Sequence, residues 1–139
     1  MKKIVISTLL ATTLLLSNSS ASNSSINSTS KIVESYEKLA SQGEIEAMFN
    51  LGLIYLTGDG AKQDYTKAKE WFLKAANKND TMSAYNLALI YKNGLGVPKN
   101  DKEAYKYFLI AANKNYAQAQ YMLGTMVEKG QGAKKDLKE

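Results

Sequence analysis

The 139-residue chain has no cysteine and no histidine. Both absences narrow the chemistry. Thiol and imidazole nucleophile–base pairs are excluded, as are thiolate and imidazole metal sites. Disulfides are excluded too, so a stay in an oxidising compartment has to be tolerated without them. Proline occurs once and glycine nine times, which suits short repeated turns rather than disorder. The longest apolar run, Ile4 to Leu16, is 13 residues and too short to cross a bilayer comfortably. Eighteen basic residues against 13 acidic ones give a net charge of +5. No dense basic stripe with interleaved aromatics accompanies that charge, which argues against a dedicated nucleic-acid binder.

What is present begins with a targeting pattern. Lys2 and Lys3 precede the apolar run, and Ser19-Ser20-Ala21 supplies the small residues that a signal peptidase reads. The expectation is a signal peptide over residues 1–21, cleaved after Ala21, and a periplasmic or secreted product. Its removal takes away two lysines and no acid, leaving 5 − 2 = +3. No cysteine stands at the cleavage site for a lipid anchor. Residues 22–30 are a Ser/Asn-rich stretch expected to be a flexible leader.

From Lys31 onward the chain repeats with a period of 36. Leu51-Gly52-Leu53-Ile54-Tyr55 returns as Leu87-Ala88-Leu89-Ile90-Tyr91 and again from Leu123-Gly124. Residues 47–82 and 83–118 match at 15 of 36 positions without a gap. Apolar spacing within each unit is helical. The helices are expected at about 31–41, 44–57, 65–77, 81–92, 100–113 and 116–129. Leu51/Leu87, Ile54/Ile90 and Tyr55/Tyr91 make one helix face. Ala68/Ala104, Phe72/Phe108 and Ala75/Ala111 make the facing stripe, where small alanines let the helices approach. Gly58 with Gly60, Gly94 with Gly96 and Gly130 with Gly132 permit positive φ in the reversal between helices. Asn79 and Asn115 stand where Gly43 stands, and asparagine tolerates the left-handed cap. A helix pair cannot bury its apolar face alone, so the units must stack. The fold expected is all-α: a right-handed α-solenoid of antiparallel helix pairs with a half unit (31–46), two full units (47–82, 83–118) and an incomplete one (119–139).

The order Ala47, Leu51, Gly52, Tyr55, Gly58, Gly60, Asp64, Ala68, Trp71, Ala75-Ala76 resembles the Sel-one-like repeat (SLR). The second unit carries it as Leu87, Tyr91, Gly94, Gly96, Ala104 and Ala111-Ala112, with Ala88 and Ser83 as departures. The third begins it with Ala119 to Gly124 and reaches Glu139 one residue before the position of Ala68 and Ala104, which reads as a shortened member of the family. The resemblance implies a protein–protein interaction module, an adaptor or scaffold of the envelope or secreted fraction. It also implies a runner-up, because some cysteine-rich secreted relatives are described as penicillin-binding or β-lactamase-like. Those relatives pair cysteines within each repeat, and this chain has none.

Candidate chemistry is sparse. A Ser-x-x-Lys occurs once, as Ser35-Tyr36-Glu37-Lys38, without the Ser-Asp-Asn or Lys-Thr-Gly companions of serine acylases. Repeat register places Ser35 and Lys38 on Trp71 and Lys74, so no catalytic residue is expected. The Gly-x-Gly loops lack a following Gly-Lys-Ser/Thr and read as turns. Asp59 and Asp64 are too few for a calcium site. No cofactor or metal is expected. The aromatics are expected mostly in the core or between helices. Binding is expected on the concave face lined by the first helix of each unit, at Asn50, Leu53, Asn86, Leu89 and Met122. An asparagine carboxamide can donate to and accept from an extended peptide backbone. The partner expected is a protein or peptide and not nucleic acid, with the membrane involved only through the signal segment.

Overall fold

The computed structural model describes residues 21–133 of the chain. The expected signal segment falls outside the described residues except for Ala21, as does the end of the third unit from Lys134. Six α-helices follow one another: α1 (Ala21–Ser41), α2 (Ile45–Thr57), α3 (Tyr65–Asn77), α4 (Thr81–Asn93), α5 (Asp101–Ala112) and α6 (Ala117–Glu128). Each packs on the next, and α2 also touches α4. The result is a row of antiparallel helix pairs, α2–α3 and α4–α5, flanked by α1 and α6. Helices α2 to α6 start and stop within one residue of the positions expected from periodicity.

The stops have a common chemistry. Helices α1, α3 and α5 end in the same cap, with the N–H of one residue reaching back three positions and the next reaching back five. In α3 these are Asn79 N–H to the Ala76 carbonyl (2.8 Å) and Asp80 N–H to the Ala75 carbonyl (3.1 Å). The first of the two residues must take positive φ. Gly43 does so at +95°, and Asn79 and Asn115 do so at +68° and +61°, as their short polar side chains allow. The starts of α3, α4 and α5 are capped by side chains. Asp64 accepts from Lys67 N–H, Asp80 from Ser83 N–H and Asn100 from Glu103 N–H. The N–H of Asp64 and of Asn100 also donates to the Tyr55 and Tyr91 carbonyls, tying each loop to the helix it leaves.

The core lies within and between the pairs. Phe72 and Phe108 are fully buried, each flanked by two buried alanines of its own helix. The Phe72 ring lies so close over Gly52 that a Cβ there would stand 2.5 Å from it. Ring pairs knit each unit, with Phe49 5.9 Å from Phe72 and Tyr85 5.5 Å from Phe108. The units are locked by their loops as well. A Cβ on Gly96, in the α4–α5 loop, would stand 2.7 Å from Cβ of Tyr65 at the start of α3.

Two features differ from expectation. Residues 22–30, expected as a flexible leader, belong to α1, which is helical from Ala21. Serine and asparagine are weak helix formers, but α1 is nucleated by packing of Val33, Tyr36 and Ala40 on the core. Extending a nucleated helix adds one hydrogen bond per residue, and this outweighs the propensity. Tyr121, grouped with the core aromatics, is 72% exposed. No described helix covers its side of α6.

Candidate partner-binding face

Asn50, Asn86 and Met122 occupy one position on α2, α4 and α6, and Leu53 and Leu89 occupy the position one turn later. Helices α2 and α4, which carry the first two sets, touch each other. Local structure makes them unequal. Asn50 is 6% exposed, set among buried residues from Ala47 to Gly52. Asn86 is half-buried, and its Nδ2 donates to the Met82 carbonyl in the preceding turn (2.9 Å). One donor of that amide is therefore committed to the helix itself. Leu53, Leu89 and Met122 are half-buried with the core behind them. In α6 the corresponding helix edge is further closed by Thr125, whose hydroxyl donates to the Met122 carbonyl (2.8 Å).

The signature residues have structural roles. Leu51, Leu87, Ala68, Ala75, Ala104 and Ala111 are all fully buried. Gly58 and Gly94 take the left-handed conformation at the ends of α2 and α4. Tyr55 donates to Glu37 Oε1 across the α1–α2 contact (3.4 Å), and Lys67 lies over its ring at 5.0 Å. Burial raises the Tyr55 phenol above its ordinary pKa; Lys67 opposes that shift and Glu37 adds to it. Tyr91 and Tyr107 stack within the second unit at 5.8 Å with planes 1° apart. Lys74 lies 4.1 Å from the centre of the Trp71 ring, a cation–π contact on the outer helix row. Tyr55 and Trp71 have the same 16-residue spacing in the first unit, where each carries a lysine over its ring instead.

The remaining chemistry is quiet. Ser35 Oγ donates to the Lys31 carbonyl one turn back (2.8 Å), which is how an exposed helical serine satisfies its hydroxyl. Among the described residues no group of three or more acidic side chains is gathered as a metal site. No described helix is long and apolar enough to cross a membrane.

Stacked antiparallel helix pairs of constant length, each turned by a Gly-containing loop, define an α-helical repeat protein of the solenoid kind. The Sel1 repeat model matches residues 45–80, 81–116 and 117–139, so the chain belongs to the Sel1 repeat family. Those frames have the same 36-residue period and begin two residues before the units drawn from identity. Among solved structures, the chain is 38% identical to c5321, described as a protective antigen present in uropathogenic Escherichia coli strains displaying an SLR fold. The match has a TM-score of 0.71 and covers 75% of this chain and 22% of that one. It is 35% identical to a Sel1 repeat protein from Oxalobacter formigenes, with a TM-score of 0.70, covering 75% of this chain and 43% of that one. The chain thus spans less than half the length of either neighbour. No protein of curated function matches it.

Proposed function

We propose that the chain is a protein-binding module that holds an extended segment of its partner across the first helices of successive units. Sel1 repeat proteins are generally protein-interaction modules. The observation that carries the finer reading is the recurrence of Asn50 and Asn86 beside Leu53 and Leu89 on two helices in direct contact. In this reading the face is the concave side of the solenoid. The leucines supply apolar contact. The asparagines pair with the partner's backbone, Asn86 through its free Oδ1 side and one remaining N–H. Met122 extends the apolar strip onto α6, where an unbranched thioether adapts to varied side chains.

The proposed place of action is the envelope or the exterior of the cell, supported by Lys2, Lys3, the Ile4–Leu16 run and Ala21. Sequencing the N-terminus of the protein recovered outside the cytoplasm checks this, with Ser22 as the expected first residue. Recovery of intact Met1 protein from the cytoplasm alone rules it out. For the face, Asn50→Ala with Asn86→Ala is expected to lose partners that the parent protein captures by photo-crosslinking, with helicity unchanged. A double variant that captures the same partners equally well moves the binding surface elsewhere.

A further inference from the structure

Among the described residues two apolar faces, one on α1 and one on α6, are left exposed. Helix α1 stands in the position of a second helix of a unit. Its Ile32, Tyr36 and Leu39 precede Ala68, Phe72 and Ala75 by 36 residues. In the complete unit those three are fully buried, and Phe72 seats over Gly52 of its own first helix. In α1, Ile32 is 50% and Leu39 42% exposed, and Tyr36 is half-buried. Helix α6 is the converse, a first helix over which no second helix lies among the described residues. Its Tyr121, Gly124 and Val127 follow Phe49, Gly52 and Tyr55 by 72 residues. Phe49, Gly52 and Tyr55 are buried, whereas Tyr121 is 72% and Val127 47% exposed. A Cβ added to Gly124 would meet nothing within 4 Å.

We propose that the face of α6 is completed by α1 of a second copy, so that copies join head to tail and each junction rebuilds a Sel1 unit. The chemistry matches position by position. Tyr36 stands where Phe72 and Phe108 stand, and Tyr121 where Phe49 and Tyr85 stand. The junction thereby regains the ring pair found 5.9 Å and 5.5 Å apart in the two complete units. Gly124 offers the Tyr36 ring the bare backbone that Gly52 offers Phe72. Tyr55 becomes the smaller Val127, while Ala68 and Ala75 become the larger Ile32 and Leu39, so volume lost on one side returns on the other. The within-unit interface is self-sufficient in α2–α3 and α4–α5, and the junction continues the same stacking. The two faces differ, so the contact is heterologous and one junction leaves both outer ends open for more.

Sedimentation of the purified protein over a hundredfold concentration range tests this. The mean mass is expected to rise from monomer through dimer and beyond. Leu39→Glu spoils only the α1 face, and Tyr121→Glu only the α6 face. Both positions are exposed, so circular dichroism is expected to be unchanged. Each variant alone is expected to stay monomeric at concentrations at least ten times those at which the parent associates. Mixed, they are expected to form a one-to-one complex that grows no further, because one sound face of each kind remains. A parent that is monomeric throughout, as when residues 134–139 fold back over α6, overturns the proposal. So does a Leu39→Glu variant that still dimerises, which denotes pairing of α6 with α6. A mixture that stays monomeric overturns it as well.

Discussion

The first and third units carry the same letters in different surroundings. Leu51 is fully buried and Leu123, 72 positions later, is half-buried. Phe49 is buried against Phe72, and Tyr121 is mostly in solvent. Gly52 has a ring pressed against it, and Gly124 has open space. The backbone of α6 is nonetheless as regular as that of α2, with 12 residues against 13. Among the described residues, α6 is therefore formed with only its preceding neighbour, α5, packed on it. Burial of the leucine is created by the second helix of the unit, and the need for glycine at 52 by the Phe72 ring pressed on it, since Ala88 holds the same position buried in the second unit.

That comparison can be broken or sharpened by substitution. The largest difference is expected at the leucines. Leu51→Ala leaves a cavity under α3 and is expected to cost about 2–5 kcal/mol. Leu123→Ala is expected to cost less than half as much, measured by urea unfolding of both variants at a concentration where the parent is monomeric. Equal costs mean that α6 is covered in solution. Next come the glycines. Gly52→Ala drives a methyl into the Phe72 ring and is expected to cost about 1–3 kcal/mol. At a concentration where the parent is monomeric, Gly124→Ala is expected to stabilise, by up to about 1 kcal/mol, because alanine is the better helix former and nothing of its own chain lies within 4 Å. Opposite signs in thermal melts are the expected outcome. A destabilising Gly124→Ala places a neighbour on that face.

A smaller effect is expected within the second unit. Ser83 is fully buried and its hydroxyl has no hydrogen-bond partner, while the same position is Ala47 and Ala119 in the sister units. An unpaired buried hydroxyl costs roughly 1–3 kcal/mol, so Ser83→Ala is expected to raise stability by about 1 kcal/mol. Unchanged or lower stability means that the hydroxyl is satisfied. The smallest effect concerns alkali. Burial raises the phenol pKa of Tyr55, Tyr85 and Tyr107. A raised folded-state value contributes stability that is complete below the unfolded value of about 10 and is lost as pH climbs through the folded value. Stability is therefore expected to fall above about pH 10, and phenolate absorbance to lag behind that of the unfolded chain. All three lie in the units formed by α2 to α5.

Much of the architecture was legible because the repeat checks itself. Helix ends were readable where a residue type is obligatory, at Gly43, Gly58 and Gly94, and at Asn79 and Asn115 by register with Gly43. The start of α1 was not readable, since residues 22–30 lack both apolar period and helix formers, and only packing further along sustains their helix. The candidate face was legible as a repeated position, but not as an environment. Asn50 and Asn86 are the same letter at the same phase, yet one is nearly enclosed and the other half-open with an N–H bonded to its own helix.

Sequence alone determined the period, the helix pairing, the turn chemistry and the family, because each depends on local backbone preference and on a pattern repeated along the chain. Tertiary structure alone decided which copies of the pattern are buried. Burial belongs to the neighbour that covers a face, and no residue carries that information by itself. Leu51 and Leu123 are the same residue at the same repeat position, and among the described residues a second helix lies over Leu51 alone.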